Sequence, residues 1–232
     1  MLIEESDLAD AKMRIFNRDG SEGMIAGNSI RCVAKYIYDN GLAKGSVVQI
    51  ETRVGVRELE LYTIGGKVRS VRVDMGEVSL DPRSLPAKIA VARAVNYPVT
   101  VAGQHTRVTC VSVGNPHCVV FTDRVDGVDL ARVGPLFEHD PLFPERVNTE
   151  FVRVINPRAI KMRVWERGNG ETMACGTGAC AAAVAAVENG YCLRDEDITV
   201  KLPGGDLIVR YDGTRVWLTG NANVIYEGVL QY

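Results

Sequence analysis

No apolar run in the sequence approaches the roughly 18 residues that a membrane-spanning helix needs. The opening MLIEESDLADAK is acidic and lacks a basic segment followed by an apolar core, so no secretory signal is read there. Basic runs are missing as well: 27 Lys and Arg stand against 29 Asp and Glu, for a formal net charge of -2, and aromatics make up only 6%. That pattern argues against a nucleic-acid partner, which would track a basic stripe interleaved with aromatics. The six cysteines include no C-x-x-C pair, so zinc is not indicated, and a chain of this size needs no disulfides. The expectation is a cytoplasmic protein with free thiols.

What is present is apolar and segmented. At 46% hydrophobic residues, the chain has material for one large domain or two modest ones. Short stretches with β-branched residues and period-two alternation recur: VVQIETRV, RELELYTI, KVRSVRVDM, KIAVARAV, TRVTCVSV, FVRVIN, AIKMRVWER, ITVKLP, DLIVRYD, TRVWLTG and VIYEGVLQY. They predict strands, joined at turn signals such as Gly65-Gly66, Pro203-Gly204-Gly205 and Asp212-Gly213. Helical pattern is clearest in SIRCVAKYIYDNG (Ser29 to Gly41) and TGACAAAVAAVENG (Thr177 to Gly190), both ending in Asn-Gly, a helix stop. Few charges interrupt either, which predicts helices wrapped by strands. Each follows a glycine-rich stretch, so the chain reads as one unit built twice, with a boundary near VDMGEVSLDPRSLP.

The glycine-rich stretches EGMIAGNSIRC and GETMACGTGAC align so that Glu22 meets Glu171, Met24 meets Met173 and Gly27 meets Gly176, leaving Ala26 opposite Cys175. The first N–H groups of a helix have no intrahelical partner and the macrodipole is positive there, so each turn can hold a small acid. Gly27-Asn28 and Gly176-Thr177 let the backbone approach such a ligand closely. A cysteine at this place has its thiolate stabilised by the same dipole, which makes Cys175 a candidate reactive thiol. The competing reading is a small buried residue.

FNRDGSEGMIAGNSIRC, VSVGNPHCVVF, ERVNTEF and VWERGNGETMACGTGACAAAVAA, with TGNANVIYEG near the end, together resemble the diaminopimelate epimerase family of cofactor-independent amino-acid isomerases. The resemblance implies an α/β fold of two similar halves, each a barrel-like, mainly antiparallel sheet around a central helix. Residues 1–75 with 222–232 would form one half and 76–221 the other, with the active-site cleft between them. It implies LL-diaminopimelate as substrate, inverted at one centre to the meso form on the route to lysine and peptidoglycan, with no cofactor and no metal. Inversion takes a proton from one face of a carbon and returns one to the other, which suits a thiolate and a thiol on opposite sides. Without pyridoxal, fixed N–H dipoles in a water-excluding site must carry the developing charge.

By the same resemblance Cys175 is catalytic, and His117 and Glu166 assist proton transfer. Gly176 and Thr177, and in the first half Gly27 and Asn28, bind carboxylate. Asn17, Asn115, Asn148, Glu166 and Arg167 contact substrate, Arg167 being suited to a bidentate grip. The partner implied is a small amino acid, with neither nucleic acid nor membrane; a homodimer is left open. Each residue also has a bland reading. Asn17 and Asn148 could satisfy turns, Glu166-Arg167 could be a solvated pair, and His117 a buried hydrogen-bonded ring. Cys32, Cys110, Cys118, Cys180 and Cys192 read as small core residues.

Two departures from the family stand out. Ala26 occupies the place of one catalytic cysteine, with Ser29 nearby where the family usually has glycine; a methyl group neither takes nor gives a proton. The chain also opens partway through the family's first half, so that half is expected to be N-terminally truncated. Three functions compete: an impaired or one-base isomerase or lyase of this fold, a non-catalytic amino-acid-binding protein, and a phosphate or nucleotide binder. The last ranks lowest because neither turn matches G-x-x-x-x-G-K-[ST] or G-x-G-x-x-G.

Overall fold

The computed structural model describes residues 1–16, 20, 22 and 27–229. They divide into two compact units, Met1–Asp74 with the segment from Thr219, and Met75–Leu218. Asn17 and Ala26 lie outside the described residues. No described helix is long and apolar enough to cross a membrane.

The first unit runs β1 (Leu2–Glu4), β2 (Ala11–Arg14), α1 (Gly27–Asp39), β3 (Val47–Thr52), β4 (Gly55–Ile64) and β5 (Lys67–Glu77), with strands neighbouring in chain order. β2 and β3 are parallel, joined across α1, while β1–β2, β3–β4 and β4–β5 are antiparallel. The period-two pattern places Val48, Ile50 and Thr52 inward while Val47 and Gln49 stay exposed. Gly65 and Gly66, at φ 60° and 75°, supply the two left-handed residues of the turn between β4 and β5. Along α1 the fully buried residues are Ile30, Val33, Ala34 and Ile37, one face at helical spacing. Cys32 falls outside that stripe and is exposed, so its assignment to the core is corrected. The helix stops at Asn40-Gly41: Gly41 takes φ 74° and Leu42 N donates to Ile37 O at 2.8 Å.

The second unit runs β6 (Tyr97–Val101), β7 (Gln104–Ser112), β8 (Pro116–Phe121), α2 (Leu130–Glu138), β9 (Asn148–Asn156), β10 (Ala159–Glu166), β11 (Gly170–Thr172), α3 (Gly176–Glu188), β12 (Ile198–Leu202), β13 (Gly205–Tyr211) and β14 (Arg215–Asn221). The unit boundary falls within β5 and β14. The strand order is β14-β13-β12-β10-β9-β8-β7-β6, with β11 on β10. β8–β9 and β10–β12 are parallel, joined across α2 and α3. Strand, helix, parallel strand is thus common to both units. α3 touches β7, β8, β9, β10, β12 and β13, so strands surround it, and Ala179 through Ala186 are fully buried.

A second apolar cluster lies on the other face of the sheet, where Cys110, Cys118, Phe143 and Phe151 pack with Phe137 of α2. α2 is absent from the sequence reading because Pro135 sits inside it. The helix forms because Asp129 caps its start, accepting from Arg132 N at 3.3 Å, and Leu130 and Phe137 are buried. KIAVARAV is corrected from strand to irregular chain. Its backbone bonds scatter, Lys88 N to Leu142 O and Ala94 N to Leu80 O, and Asn96 turns away at φ 48°. The described part of VIYEGVLQY also pairs with no strand among the described residues, and Val224, Ile225 and Tyr226 are exposed.

Candidate active site

Alternation along two parallel strands sets the site. On β8, Val119 joins the cluster around α3 and Cys118 the opposite one; on β9, Val152 and Phe151 divide the same way. Two residues back from Val119 and Val152, His117 and Glu150 therefore face the start of α3. Both are fully buried, and His117 Nδ1 lies 2.7 Å from Glu150 Oε1.

At the start of α3, Cys175 is the N-cap residue, with extended backbone at φ -129° and ψ 114°. Its sulfur accepts from Gly178 N at 3.3 Å, as an N-cap oxygen would, and lies 3.6 Å from Thr177 Oγ1. Asn115, in the turn before β8, donates from Nδ2 to Thr177 Oγ1 at 3.2 Å, and its Oδ1 is 2.9 Å from His117 Nε2. A continuous polar chain thus runs from sulfur to buried carboxylate: Cys175, Thr177, Asn115, His117, Glu150. Glycine at 178 is what lets the helix tip sit so close, because a Cβ there would fall 2.8 Å from Glu150 Oε1.

Electrostatics correct one expectation. Burial pushes the Cys175 thiol up to about 12, the Glu166 and Glu150 carboxylates push the same way, and the bonds from Thr177 and Gly178 oppose them without prevailing. The donors of the helix start are present, yet the resting form of Cys175 is the thiol rather than the thiolate. Burial also raises Glu150, against the pull of His117, and its Oε2 has no hydrogen-bond partner among the described residues.

The remaining predicted residues of this unit frame the chain. Glu166 ends β10 and accepts from Thr172 Oγ1 at 2.5 Å. Asn148 is a tie: Nδ2 donates to Pro116 O at 2.9 Å, and Oδ1 accepts from Arg167 N at 2.8 Å. Arg167 is exposed and donates from Nη1 to Glu145 O at 3.0 Å. Glu138 of α2 steadies the same turn, accepting from Gly168 N at 2.9 Å and Trp165 Nε1 at 2.7 Å. Gly27 and Asn28 belong to the first unit at the start of α1, where Gly27 O and Asn28 Oδ1 both accept from Arg31, each at 3.0 Å. Glu150 escaped the sequence reading because a lone acid in NTEFVRV resembles an exposed strand position. The available signal was its place among apolar neighbours on the strand parallel to the all-apolar CVVF. Among the described residues no three His, Cys, Asp or Glu side chains are grouped as metal ligands. A cavity of about 510 Å³ involving Lys88, Tyr97 and Asp140 lies along β6, lined by none of the chain from Cys175 to Glu150.

A family model described as diaminopimelate epimerase matches residues 1–80 and 109–225. The chain belongs to the diaminopimelate epimerase family. It is 49% identical over 236 residues to the diaminopimelate epimerase of Desulfovibrio desulfuricans, covering 98% of this chain and 82% of that protein. To the diaminopimelate epimerase of Acetivibrio thermocellus it is 49% identical over 230 residues, with 98% and 81% covered. Among solved structures, a hydroxyproline epimerase from Agrobacterium vitis shares the fold at a TM-score of 0.67 with 16% identity, over 95% of this chain and 70% of that one. A phenazine biosynthesis protein of the PhzF family from Bacillus anthracis does so at 0.66 with 13% identity, over 94% and 79%. Family membership makes the chain a member of an isomerase family on an α/β, sheet-dominated fold. The segment that the family model passes over, between residues 80 and 109, holds the irregular stretch and β6, and so most of the lining of the β6 cavity.

Proposed function

We propose that the chain binds a diaminopimelate-type amino acid and exchanges its α-proton at Cys175, while inversion from the LL to the meso form is impaired by alanine at position 26. The observation carrying this reading is the Cys175 sulfur seated on the first turn of α3, 3.3 Å from Gly178 N. The N–H groups of Gly176 and Thr177 open that helix, so a substrate carboxylate bound there meets donors without an intrahelical partner. The same donors offset charge that develops on the carboxylate as the α-proton leaves.

Cys175 as a thiol is set to deliver a proton to the carbanion; to remove one it must first ionise. Burial first, and the Glu166 and Glu150 carboxylates after it, hold the thiol up, and a bound substrate brings an ammonium group whose charge offsets those carboxylates. Glu166 and His117 handle protons around the sulfur, while Asn115, Asn148 and Arg167 orient the substrate. Asn17, Gly27 and Asn28 are assigned to substrate by the family resemblance alone. With this substrate the reaction belongs to lysine biosynthesis in the cytoplasm and needs no cofactor.

Incubating each pure diaminopimelate isomer in deuterated water tests the reading. Deuterium should enter one α-position, with inversion slower than exchange by roughly 100-fold or more, the usual worth of a positioned acid or base. Inversion keeping pace with exchange would overturn the impairment. Saturable binding without any exchange would instead mark a non-catalytic amino-acid-binding protein.

A further inference from the structure

The polar chain ending at Glu150 has a directional property that none of its members has singly. As oriented, Asn115 Nδ2 donates to Thr177 Oγ1 and Asn115 Oδ1 faces His117 Nε2, which must then carry a hydrogen. Thr177, having accepted, has its own hydrogen free for the sulfur 3.6 Å away, so Cys175 is addressed as an acceptor, the role that its thiolate form fills better than the resting thiol. One further proton is then shared between His117 Nδ1 and Glu150 Oε1.

A half-turn of the Asn115 amide reverses every link. The amide donates to a bare Nε2, accepts from the Thr177 hydroxyl, and Thr177 Oγ1 accepts from Cys175 S–H. His117 then keeps a single ring hydrogen, on Nδ1, donated to an ionised Glu150. Both arrangements hold the same number of protons and one net negative charge. What differs is whether the odd proton is on sulfur or on the buried pair.

We propose that Glu150 is a positioning residue that, paired with His117, acts as the proton counterweight of Cys175 through Asn115 and Thr177. With the proton on sulfur the pair carries the negative charge, and with the sulfur ionised the pair carries the proton, so one negative charge is held in either state. The buried space then never holds a second uncompensated charge, which burial penalises heavily. The other titratable groups coupled to these residues are Glu166, which acts on both Cys175 and Glu150, and, across the sheet, the Cys118 thiol, on which Glu150 acts. Glu150 Oε2, without a hydrogen-bond partner among the described residues, and the glycine at 178 that leaves room for the carboxyl both fit a group kept for its charge, since an apolar residue would fill that space without either feature.

The inference rests on Cys175 being the reactive sulfur of the proposed function, but its test uses substrate-free protein and so can fail or succeed apart from the exchange experiment. Glu150→Gln should lower the pH midpoint for alkylation of Cys175, raising the rate near pH 8 by about tenfold, the equivalent of one pKa unit. In a Thr177→Val background, where the chain is cut, the same substitution should give no more than about a twofold change. An unchanged midpoint in the first background, or equal changes in both, would overturn the proposal; equal changes are what a loosened core or charge acting only through space would give. If the Gln variant does not fold, ¹⁵N NMR of the unsubstituted protein decides. Methylthiolation of Cys175 leaves the sulfur able only to accept, and should move the ring hydrogen of His117 onto Nε2. Unaltered His117 ring signals would sink the idea.

Discussion

A missing methyl group is as informative here as any side chain. A Cβ at Gly178 would sit 2.8 Å from Glu150 Oε1 and 3.2 Å from Cys175 Sγ, and the Glu150 carboxyl is fully buried with nowhere to retreat. Gly178→Ala should therefore cost about 1–3 kcal/mol in urea denaturation, the usual penalty for overpacking a tight core. A loss under about 0.3 kcal/mol would show that the helix tip has slack. Position 26 carries the opposite test. Ala26→Cys should raise LL-to-meso inversion by about 100-fold or more while leaving deuterium entry at Cys175 within a few-fold, because it adds one acid–base group without touching the other. Cys175 itself should alkylate slowly at neutral pH and gain rate as pH climbs toward about 12, with exposed Cys32 replaced by Ser to keep the signal clean. The sign for stability follows: with its pKa raised from 9.0, the thiol's contribution is whole below about 9 and is lost as pH rises through about 12.

At the level of the element, α1 is pinned by one carboxylate. Asp39, whose side chain is 12% exposed, accepts from Lys35 Nζ at 2.6 Å and from Val68 N at 2.9 Å, joining the helix end to β5. Burial alone would raise Asp39, but those two bonds outweigh it and hold its pKa below the usual 3.8. Its stabilising share is present above about pH 4 and fades as pH falls through the lower folded-state value. Asp39→Asn should cost about 1–2 kcal/mol near pH 7 and flatten the stability profile below pH 4, as followed by denaturant titration across pH.

Elements with an unbroken pattern were legible in the sequence: α1 and α3 from their apolar spacing and Asn-Gly stops, and strands such as β3 from alternation. α2 was not, since a proline in a short apolar stretch masks a helix whose stability comes from packing Phe137 on the sheet. KIAVARAV misled because Ile89 and Ala94 are buried by tertiary packing without a ladder. In the site, Cys175 announced itself by its place at a helix start. Its resting protonation did not, because that depends first on burial and then on Glu166 and Glu150, all of which reach the thiol only after folding.

Among the described residues, fewer buried apolar side chains belong to the first unit, Met13, Ile30, Ile37, Val48, Ile50, Leu59 and Val71 among them, than to the second. A smaller core is expected to open at lower denaturant. The two tryptophans, Trp165 and Trp217, both lie in the second unit, Trp217 close to its boundary, so their emission follows chiefly that unit. In a urea titration, far-UV ellipticity should begin to fall before tryptophan emission shifts. Coincident curves would mean that the units unfold as a single block.

The alanines of α3 set a dimension. Ala179, Ala181, Ala182, Ala183, Ala185 and Ala186 are all fully buried inside the surrounding strands, so the girth of this helix is close to bare backbone width. It works as a mandrel on which the sheet is wound, and the separation of His117 and Glu150 from Cys175 is fixed by that winding. Descendants of this sequence are free to vary the loops at its rim, while thickening the mandrel by even one methyl group would spread the strands and pull the sulfur out of reach of its neighbours.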